Sequence, residues 1–142
     1  MKAADILKSL KKDGHRLTRT RKLIISYFVG SKKPLSAPEI QAQLELIDYQ
    51  VNKTTIYREI EFLIMQDILI EVQFNDGQIR YEMAGDNHHH HLVCKKCRRV
   101  DEFDSTKLEA EIHGMQEFFK DHKDFTLIDH SLEFFGLCGA CK

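Results

Sequence analysis

Cys94, Cys97, Cys138 and Cys141 are all the cysteines of this chain, and they fall into two Cys-x-x-Cys pairs. Each pair offers two thiolates from one tight turn, and four thiolates complete the tetrahedral shell of a structural zinc ion. Forty residues separate the pairs, longer than the loop of an ordinary zinc finger, so such a site clamps two distant segments together. A full set of four sulfurs leaves no position open to substrate, which argues against catalysis at this metal. In a reducing compartment the same spacing favours metal ligation over two disulfides.

Just ahead of the first pair stands His88-His89-His90-His91, running straight into Leu92-Val93-Cys94. An affinity-tag remnant would sit at a terminus, and this run is internal. Entering a strand, alternate residues face opposite sides, so His88 and His90 would face one way and His89 and His91 the other. With Glu82, Glu102 and Glu109 near in sequence, each face can build a nitrogen/oxygen site suited to reversible binding of Fe(II), Mn(II), Zn(II) or Ni(II). His130 falls in phase with Ile128, Leu132 and Phe134 on an expected final strand, where it is either a hydrogen-bonded core residue or a further ligand. His15, His113 and His122 carry no such pattern.

A third group points to nucleic acid. Residues 1–33 hold ten Lys+Arg against two Asp, a net of +8, whereas residues 85–142 hold eight basic against eleven acidic side chains, a net of −3. A basic segment on a chain of net charge −1 suits a localised anionic partner. Within Lys53-Thr54-Thr55-Ile56-Tyr57-Arg58, a helix burying Ile56, Ile60 and Leu63 would present Thr54, Arg58, Thr55 and Tyr57 in its first turns, where a helix-turn-helix meets base edges. Arginine can pair with guanine, and threonine methyl or a tyrosine ring can pack on thymine. Lys53 suits a phosphate; Arg16, Arg19 and Arg21 can hold the flanking backbone or enter the minor groove.

The elements that must position these groups follow from periodicity. Residues 2–12 suit an amphipathic helix ended by Gly14. Thr18 can cap a second helix carrying Leu23, Ile24, Tyr27 and Phe28. Ser36-Ala37-Pro38-Glu39 fits a capping box ahead of Ile40, Leu44 and Ile47, and Asn52 can cap the reading helix, 53–66, with Ile64 completing its stripe. The period then becomes two: Ile70, Val72 and Phe74, a turn at Asn75-Asp76-Gly77, then Ile79, Tyr81 and Met83 predict a β-hairpin. Helices followed by a hairpin describe a winged helix-turn-helix. After a polar hinge at 84–87, the pattern predicts strands at His90–Cys94 and Val100–Phe103. A helix capped by Asp104 or Ser105 follows, with Leu108, Ile112, Met115 and Phe119 on one side, and then a long strand, Phe125–Leu137. The fold class is α+β, with a winged-helix domain at 1–84 and a small α/β domain at 85–142.

Composition limits the alternatives. With 42% hydrophobic and 30% charged residues the chain belongs with folded proteins. No apolar run approaches the ~20 residues that span a bilayer, and Met1–Lys12 lacks a signal peptide's apolar core, so a cytoplasmic protein is expected. A zinc hydrolase would need an open site and a general base, and no His-Glu-x-x-His occurs. A histidine-rich metal store or metal chaperone would leave the reading helix and hairpin without a role.

Taken together, Arg16-Leu17-Thr18, Thr55-Ile56-Tyr57-Arg58, His88–His91 leading into Cys94-x-x-Cys97, and the terminal Cys138-x-x-Cys141 resemble the ferric uptake regulator family of metal-dependent repressors over essentially the whole chain. The resemblance implies a winged-helix DNA-binding domain, a hinge and a dimerisation domain. The homodimer would bind palindromic double-stranded operators when a regulatory metal is present, with no enzymatic activity, no membrane, and no small ligand other than metal ions. By position it implies a hinge sensor site of Glu82, His89, His91 and Glu102, and a second site of His88, His90, Glu109 and His130. It implies a structural Zn2+ on the four cysteines, and Fe2+ or another divalent ion (Zn2+, Mn2+) as regulator. The sequence departs from the family where a further sensor histidine is usual: Pro34 stands about there, between Lys33 and Leu35. All four cysteines are committed to the zinc, unlike many zinc sensors, and Glu102 stands where peroxide sensors favour Asp. Both points favour iron; zinc-, manganese- and peroxide-sensing relatives are the alternatives.

Overall fold

A computed structural model describes residues 2–85, 89–128 and 130–142. The chain divides into two compact units, Met1–Asp86 and Asn87–Lys142. The first is built from α1 (Ala3–Lys12), α2 (Arg19–Gly30), α3 (Ala37–Glu45), α4 (Lys53–Met65), β1 (Leu69–Gln73) and β2 (Ile79–Met83). The second comprises β3 (His90–Cys94), β4 (Val100–Phe103), α5 (Thr106–Lys123) and β5 (Glu133–Gly136).

Local chemistry sets the helix starts. Thr18, Ser36, Asn52 and Ser105 each accept a hydrogen bond from a backbone N–H in the first turn of α2, α3, α4 and α5, satisfying donors that the helix cannot. At α3 the box is reciprocal, with Glu39 accepting from the Ser36 backbone N–H at 2.8 Å. Gly14 ends the α1 segment at φ +83, where a Cβ would be strained. The four helices enclose a core of Ile6, Leu10, Ile24, Ile25, Phe28, Ile40, Leu44, Ile56, Ile60 and Leu63, sealed by Leu69 and Tyr81 from the hairpin. Ile47 does not join it. It is 47% exposed, because α3 ends at Glu45 and the turn to α4 carries it outward. Ile64 is only partly buried. The hairpin pairs antiparallel from Leu69↔Met83 to Gln73↔Ile79, and Leu35 adds a short bridge to Tyr81.

The second unit is a three-stranded sheet in the order β4-β3-β5, β3 and β4 antiparallel and β3 and β5 parallel. The final strand is much shorter than the alternation over 125–137 predicts. Among the described residues of that stretch only Glu133–Gly136 finds ladder partners, at His91 to Cys94, because β3 itself has five residues. Ile128 is 93% exposed rather than inward-facing. No residue of α5 is buried, and Leu92, Met115, Phe118, Phe125, Phe134, Phe135 and Leu137 also expose large apolar side chains. Among the described residues no helix is long and apolar enough to cross a membrane.

Candidate metal centres and nucleic-acid interface

The parallel register explains the cysteine cluster. Cys94 lies opposite Gly136, so the two strands end side by side and both Cys-x-x-Cys turns leave the same end of the sheet. In the first turn the Cys94 N–H donates to the Arg99 carbonyl at 2.8 Å and the Arg98 N–H to the Cys94 carbonyl at 2.9 Å. In the second, the Cys141 N–H donates to the Cys138 carbonyl at 2.9 Å. All four sulfurs lie within 4.8 Å of one another. Cys97 and Cys138 Sγ are 3.7 Å apart, too far for a disulfide. That spacing matches the edge of about 3.8 Å expected for a tetrahedron with Zn–S near 2.3 Å.

Protonation points the same way. Backbone N–H groups of Cys97 and Cys138 directed at the Cys94 sulfur, with that of Lys96, outweigh burial and hold its thiol down at about 6. Hydrogen bonding with Cys138 and Cys97, together with burial, pushes Cys141 up to about 12. Four sulfurs this close do not all release their protons unless a cation replaces them, and the donor set fits zinc.

On β3 successive histidines take different surroundings. His90 is 1% exposed; its Nε2 is 2.6 Å from Glu109 Oε1, while His130 Nε2 is 3.5 Å from Glu109 Oε2. The His90 and His130 rings are 5.5 Å apart, and the three residues offer ligand atoms within 4.8 Å of one another. Glu109 reaches the sheet from the first turn of α5, while His130 sits three residues ahead of β5, in no strand. Two imidazoles and a carboxylate suit a borderline divalent ion. His88, expected in this group, lies outside the described residues. His89 and His91 stand together, rings edge to face at 5.1 Å. Glu102 faces His91 across the antiparallel register and is exposed. Glu82 is a buried carboxylate on β2, opposite Ile70. Pro34 is fully buried and Lys33 Nζ is 3.1 Å from Glu39 Oε1, so the segment before α3 offers no metal ligand.

In the first unit Lys53, Thr54 and Arg58 are exposed at the start of α4, with Thr55 and Tyr57 half-buried. The Thr55 hydroxyl donates to Asn52 Oδ1 at 3.1 Å and is thereby held in the cap. Lys53 Nζ lies 5.6 Å from the Tyr57 ring centroid. Arg16 and Arg19 are exposed. The Arg19 guanidinium rests 4.8 Å over the Tyr49 ring, whose hydroxyl shares a 2.7 Å hydrogen bond with Thr20 Oγ1. Sequence reasoning missed Tyr49, since no local pattern links the turn before α4 to the start of α2. Arg21 is not open to a duplex: its side chain is 11% exposed and ion-paired to Glu59 at 2.7 Å.

Comparison with known proteins agrees with this arrangement. The sequence model of the Ferric uptake regulator family matches residues 12–135. The chain is 30% identical over 134 residues to the ferric uptake regulation protein of Neisseria meningitidis serogroup A, covering 94% of this chain and 90% of that one. Among solved structures, the Helicobacter pylori ferric uptake regulator superposes with a TM-score of 0.82 at 26% identity, covering 99% of this chain and 94% of that one. The Francisella tularensis ferric uptake regulator with iron gives 0.77 at 28% identity, covering 90% and 95%. A buried-stripe helix start that exposes Lys53, Thr54 and Arg58, a cluster of four cysteines and a histidine/carboxylate group thus occur in one chain whose sequence and fold agree with one family throughout: the protein belongs to the ferric uptake regulator family and is a metal-responsive transcription regulator, not an enzyme.

Proposed function

We propose that this protein is an iron-responsive, cytoplasmic repressor whose homodimer binds palindromic operators. The observation that carries the metal reading is the division of donors. All four thiols gather in one closed cluster, leaving only imidazole and carboxylate groups for reversible binding, a donor set suited to Fe(II). The iron-bound Francisella tularensis neighbour supports it. Residues 1–84 serve as the DNA-binding domain and 85–142 as the dimerisation domain. Cys94, Cys97, Cys138 and Cys141 hold the structural zinc. His90, Glu109 and His130, with His88, form one further site, and the three functional metal sites described for the Helicobacter pylori protein support that count.

The sensing site is Glu82, His89, His91 and Glu102. Glu82 precedes the connecting segment and His89 and His91 follow it. When bound, the ion supplies a cross-link between ligands on both sides of that segment. Glu82 and the two imidazoles thereby restrict the orientations the domains adopt, and the DNA-competent fraction rises. Thr54, Thr55, Tyr57 and Arg58 then meet the major groove and Lys53 the adjacent phosphate, while Arg19 holds the flanking backbone and Arg16 enters the minor groove. The apolar surface of α5 and β5 is where a second copy of the chain packs.

The test titrates Fe(II), Mn(II), Zn(II) and Ni(II) anaerobically against the zinc-loaded protein while following binding to a duplex enriched from a random-sequence library. Activation by Fe(II) at the lowest free concentration is expected, with Glu82→Ala/His89→Ala losing the metal response. Unchanged metal-dependent binding by that double variant would exclude this sensing site.

A further inference from the structure

Arg21 belongs to the basic first segment, yet its charge is already engaged. Its Nε donates to Glu59 Oε2 at 2.7 Å, and its guanidinium lies 3.6 Å over the Phe62 ring. Its Nη1 donates to the Arg16 carbonyl at 2.8 Å. His15 closes on the same helix from the other side of the loop, Nε2 3.0 Å from Gln66 Oε1 and ring edge-on to Phe62 at 5.0 Å. The Arg21 N–H is in turn held by Thr18 Oγ1 at 3.1 Å. Glu59 and Phe62 of α4, with Gln66 just past its end, therefore form a shelf for the loop of residues 15–18. At about 100° per residue, Phe62 neighbours Arg58 on the helix surface. Arg16 leaves this anchored loop with its side chain exposed.

Resting on the DNA-binding reading above, we propose that Arg21 is a positioning residue for operator recognition. Clamped between Glu59 and Phe62, it holds the Arg16 backbone at a fixed offset from the reading face of α4, so that loop and helix address the duplex as one rigid unit. A planar guanidinium can stack on Phe62, pair with Glu59 and donate to a carbonyl at once, which the single ammonium of lysine cannot do. Holding Arg16 in place before binding lowers the ordering cost at the interface. Because Glu59 neutralises it, Arg21 itself releases no counterion from the duplex.

A phosphate contact and a positioning role predict opposite effects of removing the acid. Glu59→Gln frees the Arg21 charge, so it would tighten binding if Arg21 met phosphate and loosens operator binding if the ion pair sets the loop. The experiment measures anisotropy with the full-length, zinc-loaded protein and Mn(II), on the duplex that the wild type enriches from a random library and on a scrambled duplex. Glu59→Gln and Arg16→Ala are each expected to weaken the enriched duplex roughly tenfold, the scale of one lost base-edge contact. Binding to the scrambled duplex should stay within about twofold, and the Arg16→Ala/Glu59→Gln double variant should lose no more than Arg16→Ala alone. Arg21→Lys, which keeps the charge, repeats the comparison, with thermal melts confirming that each variant is folded. Tighter binding by Glu59→Gln, or losses that multiply to roughly a hundredfold in the double variant, would overturn the proposal. If the wild type enriches no sequence with any divalent metal, the DNA-binding reading itself falls, and this inference with it.

Discussion

Cys97 is an exposed thiol whose sulfur lies 3.7 Å from that of Cys138, and the cluster they share ties the end of β3 to the end of β5. Replacing Cys97 or Cys141 by Ser leaves three sulfurs, which hold zinc far less tightly and leave β5 joined to the sheet by four ladder positions alone. Either variant should lose both zinc and the dimer, and operator binding with them, whichever regulatory metal is supplied. Light scattering and metal analysis of the purified variants check this, and a zinc-free variant that stayed dimeric would contradict it. At the other centre, Glu109→Gln removes the carboxylate shared by His90 and His130. Affinity there should fall at least tenfold, read by chelator competition, while the cysteine-bound zinc stays in place. The cysteine centre is plain from spacing alone, whereas the grouping of His90 with Glu109 and His130 comes from the family resemblance, spacing having left His130 between core residue and ligand. What spacing could not supply is Arg21: its partners Glu59 and Phe62 lie some 40 positions on and meet it only through the packing of α2 on α4.

Helix starts were the most legible elements, because a cap is decided by side chains within three residues of one another. Thr18, Ser36, Asn52 and Ser105 all serve where a local pattern places them. Asn52→Ala should cost about 1 kcal/mol of stability, measured by urea unfolding, and fray the turn that carries Lys53 to Tyr57. Glu39 adds a pH dependence. Burial pushes its carboxyl up, but hydrogen bonds from Ser36 and Lys33, with the Lys33 charge, outweigh it and hold Glu39 below its ordinary 4.5. A depressed native value means that its stabilising contribution is present above 4.5 and fades as pH falls through the lower folded value. Glu39→Gln should therefore lose stability at neutral pH and close the gap to wild type in acid, which paired urea titrations at the two pH values would show. The last strand was the least legible element. Alternation over 125–137 describes side chains that could face a sheet, but strand length depends on ladder partners, and β3 supplies only four.

At the scale of the whole molecule, the basic charge of residues 1–33 belongs to the unit that carries α4, and the acidic excess to the unit that carries the histidines and cysteines. Operator binding should therefore weaken steeply with salt, and Lys53→Ala should lower the slope of log affinity against log salt by about 1, as loss of one phosphate contact does. The exposed apolar side chains of α5 and β5 carry a parallel lesson: helical periodicity predicted Leu108, Ile112, Met115 and Phe119 on one side, but could not say that one chain leaves that helix without a buried residue. The alternation along β3 has a further consequence, for how such a sensor can change over generations. His90 belongs with Glu109 and His130, whereas His89 and His91 stand together, so inserting or deleting one residue in the run would exchange ligands between the two groups. Neither of the two proposed centres can drift by a change of length without altering the other in the same step. New metal preferences can arise there by substitution alone, so lineages descending from this chain should vary the identities of these residues and keep their number.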